Sequence, residues 1–362
     1  MSRPPFHNRL CELLGIRHPV LLAGMAGGPT TPELAAAVSD AGGLGTLGLA
    51  GMPVAAARAA VARARELTGA PLGVNVLAAP PTAPDRRGHD PRAALGPLRR
   101  ELGVPDDPPP APPAGSPRDL VRAGLEAGAS VVCVGLGDPG PVHDLARGAG
   151  APVVVMVSSV EDAERAVEAG ADAVVAQGAE AGGHRSDFDL PDDGEVPLVG
   201  TFALVPQVVR AVDVPVVAAG GVMDGRGLAA ALALGALGVQ MGTRFLAAAE
   251  SGVPDGYRRR LREARDTDTV ITRALSGRPA RAIPNRLVAA LEAAAPPALG
   301  YPRQAQASAD LRAAAAAADH PEMLALFAGQ AAGLAADARP AGRIVEDVVA
   351  EAQAVLRGLA GA

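Results

Sequence analysis

The residues of this chain that could do chemistry are concentrated in one run, Gln177-Gly178-Ala179-Glu180-Ala181-Gly182-Gly183-His184. An imidazole can take or give a proton near neutral pH, and glycines let a flat ligand approach the backbone closely. The run follows an apolar segment of β type, so these groups lie where a buried strand meets a loop. This combination predicts a site with His184 as its proton handler, the alternative being an exposed loop histidine.

Two neutral amides, Asn75 and Gln177, stand near the ends of apolar segments. An amide carries a donor and an acceptor on one group, and the pyrimidine edge of a flavin presents alternating partners of that kind. A buried amide must be satisfied, either by a cofactor or by neighbouring strand ends. Both readings stay open at this point.

The elements that must position these residues recur along the chain. Short Val-, Leu-, Ala- and Gly-rich runs alternate with amphipathic helical segments, and the eight strand candidates are Pro19–Ala23, Leu44–Gly48, Leu72–Leu77, Ser130–Gly135, Pro152–Val157, Asp172–Gln177, Val214–Ala219 and Ala236–Met241. Eight such units predict an α/β fold, a TIM (β/α)₈ barrel with parallel, buried strands. A doubly wound open sheet is the alternative.

The unusual residues fall at the carboxyl ends of these strands, the face on which barrel active sites form. The loops after strands seven and eight carry Gly220-Gly221 and Gly242-Thr243-Arg244. Glycine amides there can point at phosphate oxygens, with the Thr243 hydroxyl and the Arg244 charge beside them. The pattern predicts a phosphate site, although each glycine pair alone is equally compatible with a tight turn.

Three regions define the predicted domain organisation. Residues 1–249 form the barrel, with a Pro-rich excursion at 80–117 that is either a solvated loop or a lid. Residues 250–337, Arg- and Ala-rich, form an α-helical subdomain on the substrate side. Residues 338–362 supply a C-terminal helix that returns to the barrel.

Composition excludes several classes of function. All 33 basic residues are arginine, which removes lysine Schiff-base chemistry and a lysine-containing phosphate loop. Cys11 and Cys133 have no metal-binding spacing, so no metal site is predicted. A net charge of −6 with 2% aromatic residues argues against nucleic-acid binding. With no signal peptide evident after Met1 and no long apolar run, we expect no membrane association and a cytoplasmic location.

The motifs together resemble those of nitronate monooxygenases, formerly called 2-nitropropane dioxygenases. The resemblance covers nearly the whole chain through five ordered motifs: Ala23–Gly28, Gly73–Val76, Ala176–His184, Ala218–Gly221 and Gln240–Phe245. It implies a TIM barrel that binds FMN non-covalently and oxidises alkyl nitronates with O₂ to a carbonyl compound and nitrite. It also implies small-molecule partners, a nitronate or nitroalkane and O₂, and leaves open whether the chain forms a homodimer.

Roles for individual residues follow from the same resemblance. His184 would be the catalytic base that removes the α-proton of a neutral nitroalkane. The implied FMN contacts are Gly24, Met25, Asn75, Gln177, Gly182, Gly183, Gly220, Gly221, Gln240, Met241, Gly242 and Thr243. The chain departs from the family pattern at Arg185-Ser186-Asp187 and at Ala282, which leaves the physiological substrate open.

Two other functions compete with this one. Flavin-dependent NAD(P)H enoyl-[acyl carrier protein] reductases carry a similar Glu-Ala-Gly-Gly-His run and an element like Leu204–Gln207. The acidic stretch Asp187–Val199 and the Pro-rich excursion favour the nitronate enzymes over these reductases. A flavin-binding protein without turnover is the third reading.

Overall fold

Short strands alternate with helices along most of the chain. The computed structural model describes residues 4–80, 91–105, 112–191, 194–293, 299–335 and 337–361. In chain order the strands are β1 (Val20–Leu22), β2 (Gly45–Gly48), β3 (Leu72–Leu77), β4 (Val131–Gly135), β5 (Val153–Val157), β6 (Ala173–Gln177), β7 (Gly183–His184), β8 (Val216–Ala219), β9 (Gly238–Met241), β10 (Val270–Thr272) and β11 (Ala280–Ala282).

The helices surround these strands and in part pack beyond them. They are α1 (Arg9–Leu14), α2 (Pro32–Asp40), α3 (Val54–Leu67), α4 (Pro91–Glu101), α5 (Pro117–Glu126), α6 (Gly140–Gly148), α7 (Val160–Glu168), α8 (Thr201–Ala211), α9 (Gly225–Ala233), α10 (Thr243–Leu246), α11 (Asp255–Glu263), α12 (Arg286–Ala293), α13 (Arg303–Gln306), α14 (Ala309–Ala317) and α15 (Ala341–Ala360). Several begin at a side-chain cap: the Thr31 hydroxyl accepts from the Leu34 amide and Ser159 from that of Asp162.

Eight of the strands close into a barrel. Their order is β1-β9-β8-β6-β5-β4-β3-β2, and the paired strands run parallel. The first and last strands meet where the Leu22 amide donates to the Leu44 carbonyl at 2.9 Å, and the Leu44 amide donates to the Val20 carbonyl at 3.0 Å. The fold is therefore a TIM barrel, and the open-sheet alternative is wrong. Each of the eight predicted strands contains one observed strand.

The barrel interior is packed, and its amino-terminal end is plugged by α1. Alternate strand residues such as Leu21, Val154 and Val217 form a buried cluster with Leu10 and Leu14 of α1. The other faces of the strands pack against the surrounding helices in a larger cluster. With the bottom closed, the carboxyl ends of the strands form the accessible face of the barrel.

The region after β9 has its own apolar core, and it is not purely helical as the sequence predicted. Tyr257, Leu287 and Leu311 belong to this core, together with Leu95 and Leu98 of α4. Strands β10 and β11 form an antiparallel sheet whose third strand is β7 from the barrel loop. The last helix, α15, packs against α9 and α2 of the barrel. The exact domain boundaries stay predictions.

The described helix of the Pro-rich excursion is anchored to this second core. Arg99, only 2% exposed, donates to Asp310 at 2.8 Å, and Arg286 donates to both carboxylate oxygens of Glu101 at 2.9 and 2.7 Å. Residues 81–90 and 106–111 lie outside the described part of the chain, so the choice between a solvated loop and a lid stays a prediction there.

The described residues include neither a membrane-spanning helix nor a cluster of metal-binding side chains. Helices long and apolar enough to cross a membrane do not occur in this part of the chain. Groups of three His, Cys, Asp or Glu side chains suited to a metal ion do not occur there either.

Candidate active site

The predicted site residues meet at the carboxyl ends of the barrel strands. On one side, Asn75 at β3 donates from its amide to the Gly24 carbonyl at 3.1 Å. A Cβ on Gly24 would lie 2.3 Å from that of Asn75, and a Cβ on Gly242 would lie 3.6 Å from the Met25 sulfur. The loops after β1, β3 and β9 are therefore close together, as the sequence predicted.

Gly220 and Gly221 follow β8 and both adopt positive φ, +110° and +72°, a conformation in which side chains are strained. A Cβ on Gly220 would come within 2.8 Å of the Thr201 hydroxyl. The carboxylate of Glu180 accepts from the Thr201 amide at 2.9 Å and from its hydroxyl at 2.8 Å. The glycine turn is thus tied to the loop after β6 and to the start of α8.

Among the described residues, the end of β9 and the loop after it contain one polar side chain without a protein partner and two that make protein contacts. Gln240 is 7% exposed, and its amide atoms are accessible but make no hydrogen bond within the described part of the chain. The Thr243 hydroxyl accepts from the Gly329 amide at 3.0 Å. Arg244 donates to the Asp337 carboxylate at 3.1 Å, and its predicted place beside a phosphate stays a prediction.

The backbone of His184 is held by a strand from the second core. Strand β7 pairs with β11, which places His184 opposite Ala280 and Gly183 opposite Arg281. The Arg185 amide continues the pairing by donating to the Pro279 carbonyl at 2.9 Å. The histidine is therefore part of a small sheet, not of a free loop.

Gln177, the last residue of β6, hydrogen-bonds to the backbone of the same loop. Its amide nitrogen donates to the His184 carbonyl at 2.9 Å, and its amide oxygen accepts from the Ser186 amide at 3.0 Å. The residue is 3% exposed. Of the two readings of this amide, the structure shows the bond to neighbouring protein, while its predicted contact with a cofactor is not tested.

Two buried arginines cap three consecutive carbonyls of the loop. Arg185 donates to the carbonyls of Gln177 and Gly178 at 3.2 and 2.8 Å, and Arg281 donates to that of Ala179 at 2.8 Å. Burial lowers the pKa of both guanidiniums. Charge-assisted bonds of this kind are stronger than neutral ones, so they fix the path of the chain toward His184.

The His184 ring lies among groups that sequence reasoning missed. Its Nε2 is 2.7 Å from the Ser276 hydroxyl, and the Phe327 and Tyr301 rings lie with their centroids 5.5 and 6.2 Å away. Burial, and next the positive charge of Arg278, lower the pKa of His184 to about 4. The imidazole is neutral near pH 7 and can accept a proton.

Comparisons with known proteins agree with this geometry. The family model described as nitronate monooxygenase matches residues 7–351. A Staphylococcus aureus (strain Newman) protein named "Probable nitronate monooxygenase" is 36% identical, over 97% of this chain and 98% of its own length.

The chain belongs to the nitronate monooxygenase family.

Membership makes the protein an oxidoreductase, and solved structures support the same assignment. The nitroalkane oxidase of Streptomyces ansochromogenes superposes with a TM-score of 0.86 at 37% identity, covering 97% of this chain and 100% of that one. FabK of Thermotoga maritima gives a TM-score of 0.77 at 35% identity, covering 98% and 99%.

The segment Arg185-Ser186-Asp187, where the sequence suggested a departure from the family pattern, is buried and hydrogen-bonded. The Ser186 hydroxyl donates to the Met156 carbonyl at 2.9 Å, and Asp187 accepts from the Ser158 hydroxyl at 2.7 Å. The sequence contained one signal of this: a polar Arg-Ser-Asp triplet directly after the candidate base. Ser276, Tyr301 and Phe327 gave no comparable signal, because they lie far from His184 in the chain.

Proposed function

We propose that this protein is an FMN-dependent nitronate monooxygenase that converts alkyl nitronates and O₂ into a carbonyl compound and nitrite, with His184 as the base for neutral nitroalkanes. The observation that carries the proposal is the position and protonation state of the His184 ring. The ring stands beyond the carboxyl end of β6, its pKa lowered to about 4 by burial and nearby positive charge, so that its unprotonated form dominates at neutral pH.

Several residues fit an FMN in this family. Bare backbone at Gly183 and Gly221, where an added Cβ would meet nothing closer than 3.8 Å, suits the approach of a flat ring or a phosphate. Gln240 is largely buried, but its amide atoms are accessible and have no protein partner among the described residues, so they can bond to a ring edge or ribityl hydroxyl. We propose that the other FMN contacts predicted from the sequence also bind this cofactor. When bound, the flavin supplies electron transfer between nitronate and O₂.

The chain's own contribution is to position the substrate and move one proton. His184 accepts the α-proton as the C–H bond breaks, and the electron pair moves into the nitro group to give the nitronate. The neighbouring guanidiniums of Arg278 and Arg312, which act on the pKa of His184, favour the anion that forms. Phe327 and Tyr301 pack beside the ring and restrict its orientation.

An NAD(P)H-dependent enoyl reductase is the second candidate, because of the shared Glu-Ala-Gly-Gly-His run and the Leu204–Gln207 element. A cysteine-based mechanism has less support, since burial raises the pKa of Cys133 to about 12 inside the barrel and Cys11 is buried.

Anaerobic flavin reduction separates the two candidates. The purified protein, reconstituted with FMN if required, is mixed without oxygen with ethyl nitronate or with NADPH, and flavin absorbance is followed. We expect rapid bleaching by the nitronate, slow or no bleaching by NADPH, and stoichiometric nitrite once O₂ is admitted. Rapid bleaching by NADPH alone would favour the reductase, and a protein that binds no FMN would contradict both candidates.

A further inference from the structure

Ser276 is the residue outside the predicted site that most directly contacts the candidate base. It is 2% exposed and stands just before β11, the strand that pairs with β7. Its hydroxyl lies 2.7 Å from His184 Nε2. Two groups of Arg278 complete its surroundings: the amide donates to the hydroxyl at 3.3 Å, and the carbonyl accepts from it at 3.3 Å.

These contacts allow two proton arrangements. A serine hydroxyl has one proton and two lone pairs, and the Arg278 amide occupies one lone pair. In the first arrangement the hydroxyl proton points to the Arg278 carbonyl, and the second lone pair accepts Nε2–H from His184. In the second, the hydroxyl donates to Nε2, and the ring carries its proton on Nδ1.

Only the first arrangement leaves the other ring nitrogen able to act as a base. Nδ1 is accessible and has no hydrogen-bond partner in the described part of the chain. It is also the arrangement that persists after the ring takes up a proton, because an imidazolium must donate from both nitrogens. The partner of one ring nitrogen thus decides what the other can do.

We propose that Ser276 is a positioning residue that holds His184 in its Nε2–H form, so that Nδ1 receives the α-proton of a neutral nitroalkane. The inference rests on the proposed function. The Arg278 carbonyl gives the hydroxyl proton an alternative acceptor. Both groups lie in the segment just before β11, which the pairing of β11 with β7 holds beside the ring.

A positioning role for Ser276 predicts different effects on neutral nitroalkanes and on preformed nitronates. A preformed nitronate has already lost its α-proton, so it does not need the base. In Ser276→Ala we expect kcat/KM for nitroethane to fall at least about tenfold, while kcat/KM for ethyl nitronate and the bound flavin change less than about twofold. Ser276→Thr retains a hydroxyl and should recover most of the nitroethane activity.

Ser308→Ala is the matched control, because Ser308 is another fully buried serine of the second core region and its hydroxyl has no partner among the residues that the structure describes. Its nitroethane to nitronate ratio should equal that of the wild type. An equal fall of kcat/KM for both substrates in Ser276→Ala would mean that Ser276 has only a structural role. An unchanged kcat/KM for both would mean that Ser276 takes no part in the mechanism.

A second measurement does not depend on turnover or on a Ser276 variant. ¹⁵N spectra of histidine-labelled wild-type protein report which ring nitrogen carries the proton, and His184→Asn assigns the signal. The Nε2–H form is expected near pH 7, and an Nδ1–H form would overturn the inference. A wild-type enzyme that oxidises neither nitroethane nor ethyl nitronate would instead contradict the proposed function, whatever tautomer is found.

Discussion

The two sides of the site are held in different ways. The turn after β8 depends on the backbone conformation of two glycines, since Gly220 and Gly221 both adopt positive φ. The His184 loop takes its shape from distant side chains and from β11: Arg281 bonds the Ala179 carbonyl from 102 residues away, and Ser276 contacts His184 from 92 residues away.

Because the two sides are held differently, they should respond differently to substitutions. A backbone cradle depends on the absence of side chains, so it is sensitive to any added Cβ. A loop held by buried guanidiniums depends on partners, so it is sensitive to their loss and leaves unpaired carbonyls when they go. We therefore expect changes on the glycine side to weaken cofactor binding and changes on the histidine side to alter the proton step.

The largest effect should come from the base itself. His184→Asn keeps a polar side chain of smaller size but cannot accept the α-proton. We expect kcat/KM for nitroethane to fall about 10²–10⁴-fold, with flavin absorbance retained. Steady-state nitrite release measures the first quantity and the visible spectrum the second. Unchanged nitroethane activity would remove His184 from the mechanism.

Gly220→Ala tests the backbone cradle. The new Cβ would be strained at φ +110° and would press on the Thr201 hydroxyl, so the loop must shift. We expect FMN affinity to fall about tenfold or more, which is the equivalent of roughly 1.4 kcal/mol, as measured by flavin titration. Gly51→Ala carries similar backbone strain at φ +82° with open space around it, and it should bind FMN normally. Equal losses in both variants would mean that strain alone is responsible.

Arg281→Met tests the opposite side. It removes the bond to the Ala179 carbonyl at 2.8 Å and the bond to the Thr269 hydroxyl at 3.1 Å. We expect about 1–3 kcal/mol less stability toward urea, a lower kcat/KM for nitroethane, and nearly unchanged FMN affinity. Arg286→Met breaks only an exposed pair with Glu101 and should cost under about 1 kcal/mol. A loss of FMN affinity larger than the loss of activity would contradict the division between the two sides.

The smallest effect is a shift in pH dependence. Because the folded pKa of His184 is lowered to about 4, the ring stays neutral as pH falls from 6.5 toward 4 and is protonated only below. The acid limb of kcat/KM for nitroethane should therefore lie near pH 4. The unfolded chain binds this proton already below pH 6.5, so the free energy of unfolding decreases as pH falls from 6.5 to 4.

Arg278→Met tests the cause of this lowered pKa. Removing the positive charge should move the acid limb of kcat/KM to higher pH, and an unchanged limb would mean that the guanidinium charge does not act on the ring.

The pattern of the sequence was sufficient to predict the barrel. Buried parallel strands read as continuous apolar runs, and glycine stops mark helix ends, so both signals are local. For the same reason the positions of Gly24, Asn75, Gly220 and Gly242 at strand carboxyl ends were predicted correctly. Their contacts with FMN and the base role of His184 stay predictions.

Contacts between distant segments could not be predicted in the same way. Nothing local in the sequence indicated that β10 and β11 interrupt the helical region, or that β11 pairs with the histidine strand. Likewise, the position of Arg244 suggested a phosphate partner but gave no indication of the ion pair that it makes with Asp337 at 3.1 Å.

The sequence by itself determined the strand count, the carboxyl-end position of the candidate site residues, and the single histidine among the glycines. These depend on hydrophobic periodicity and backbone conformation, which neighbouring residues specify. Only the tertiary structure decided how His184 is held, because its partners, Ser276, Arg278, Tyr301 and Phe327, come from segments whose approach depends on the packing of the second core. The state of the base is therefore a property of the whole fold.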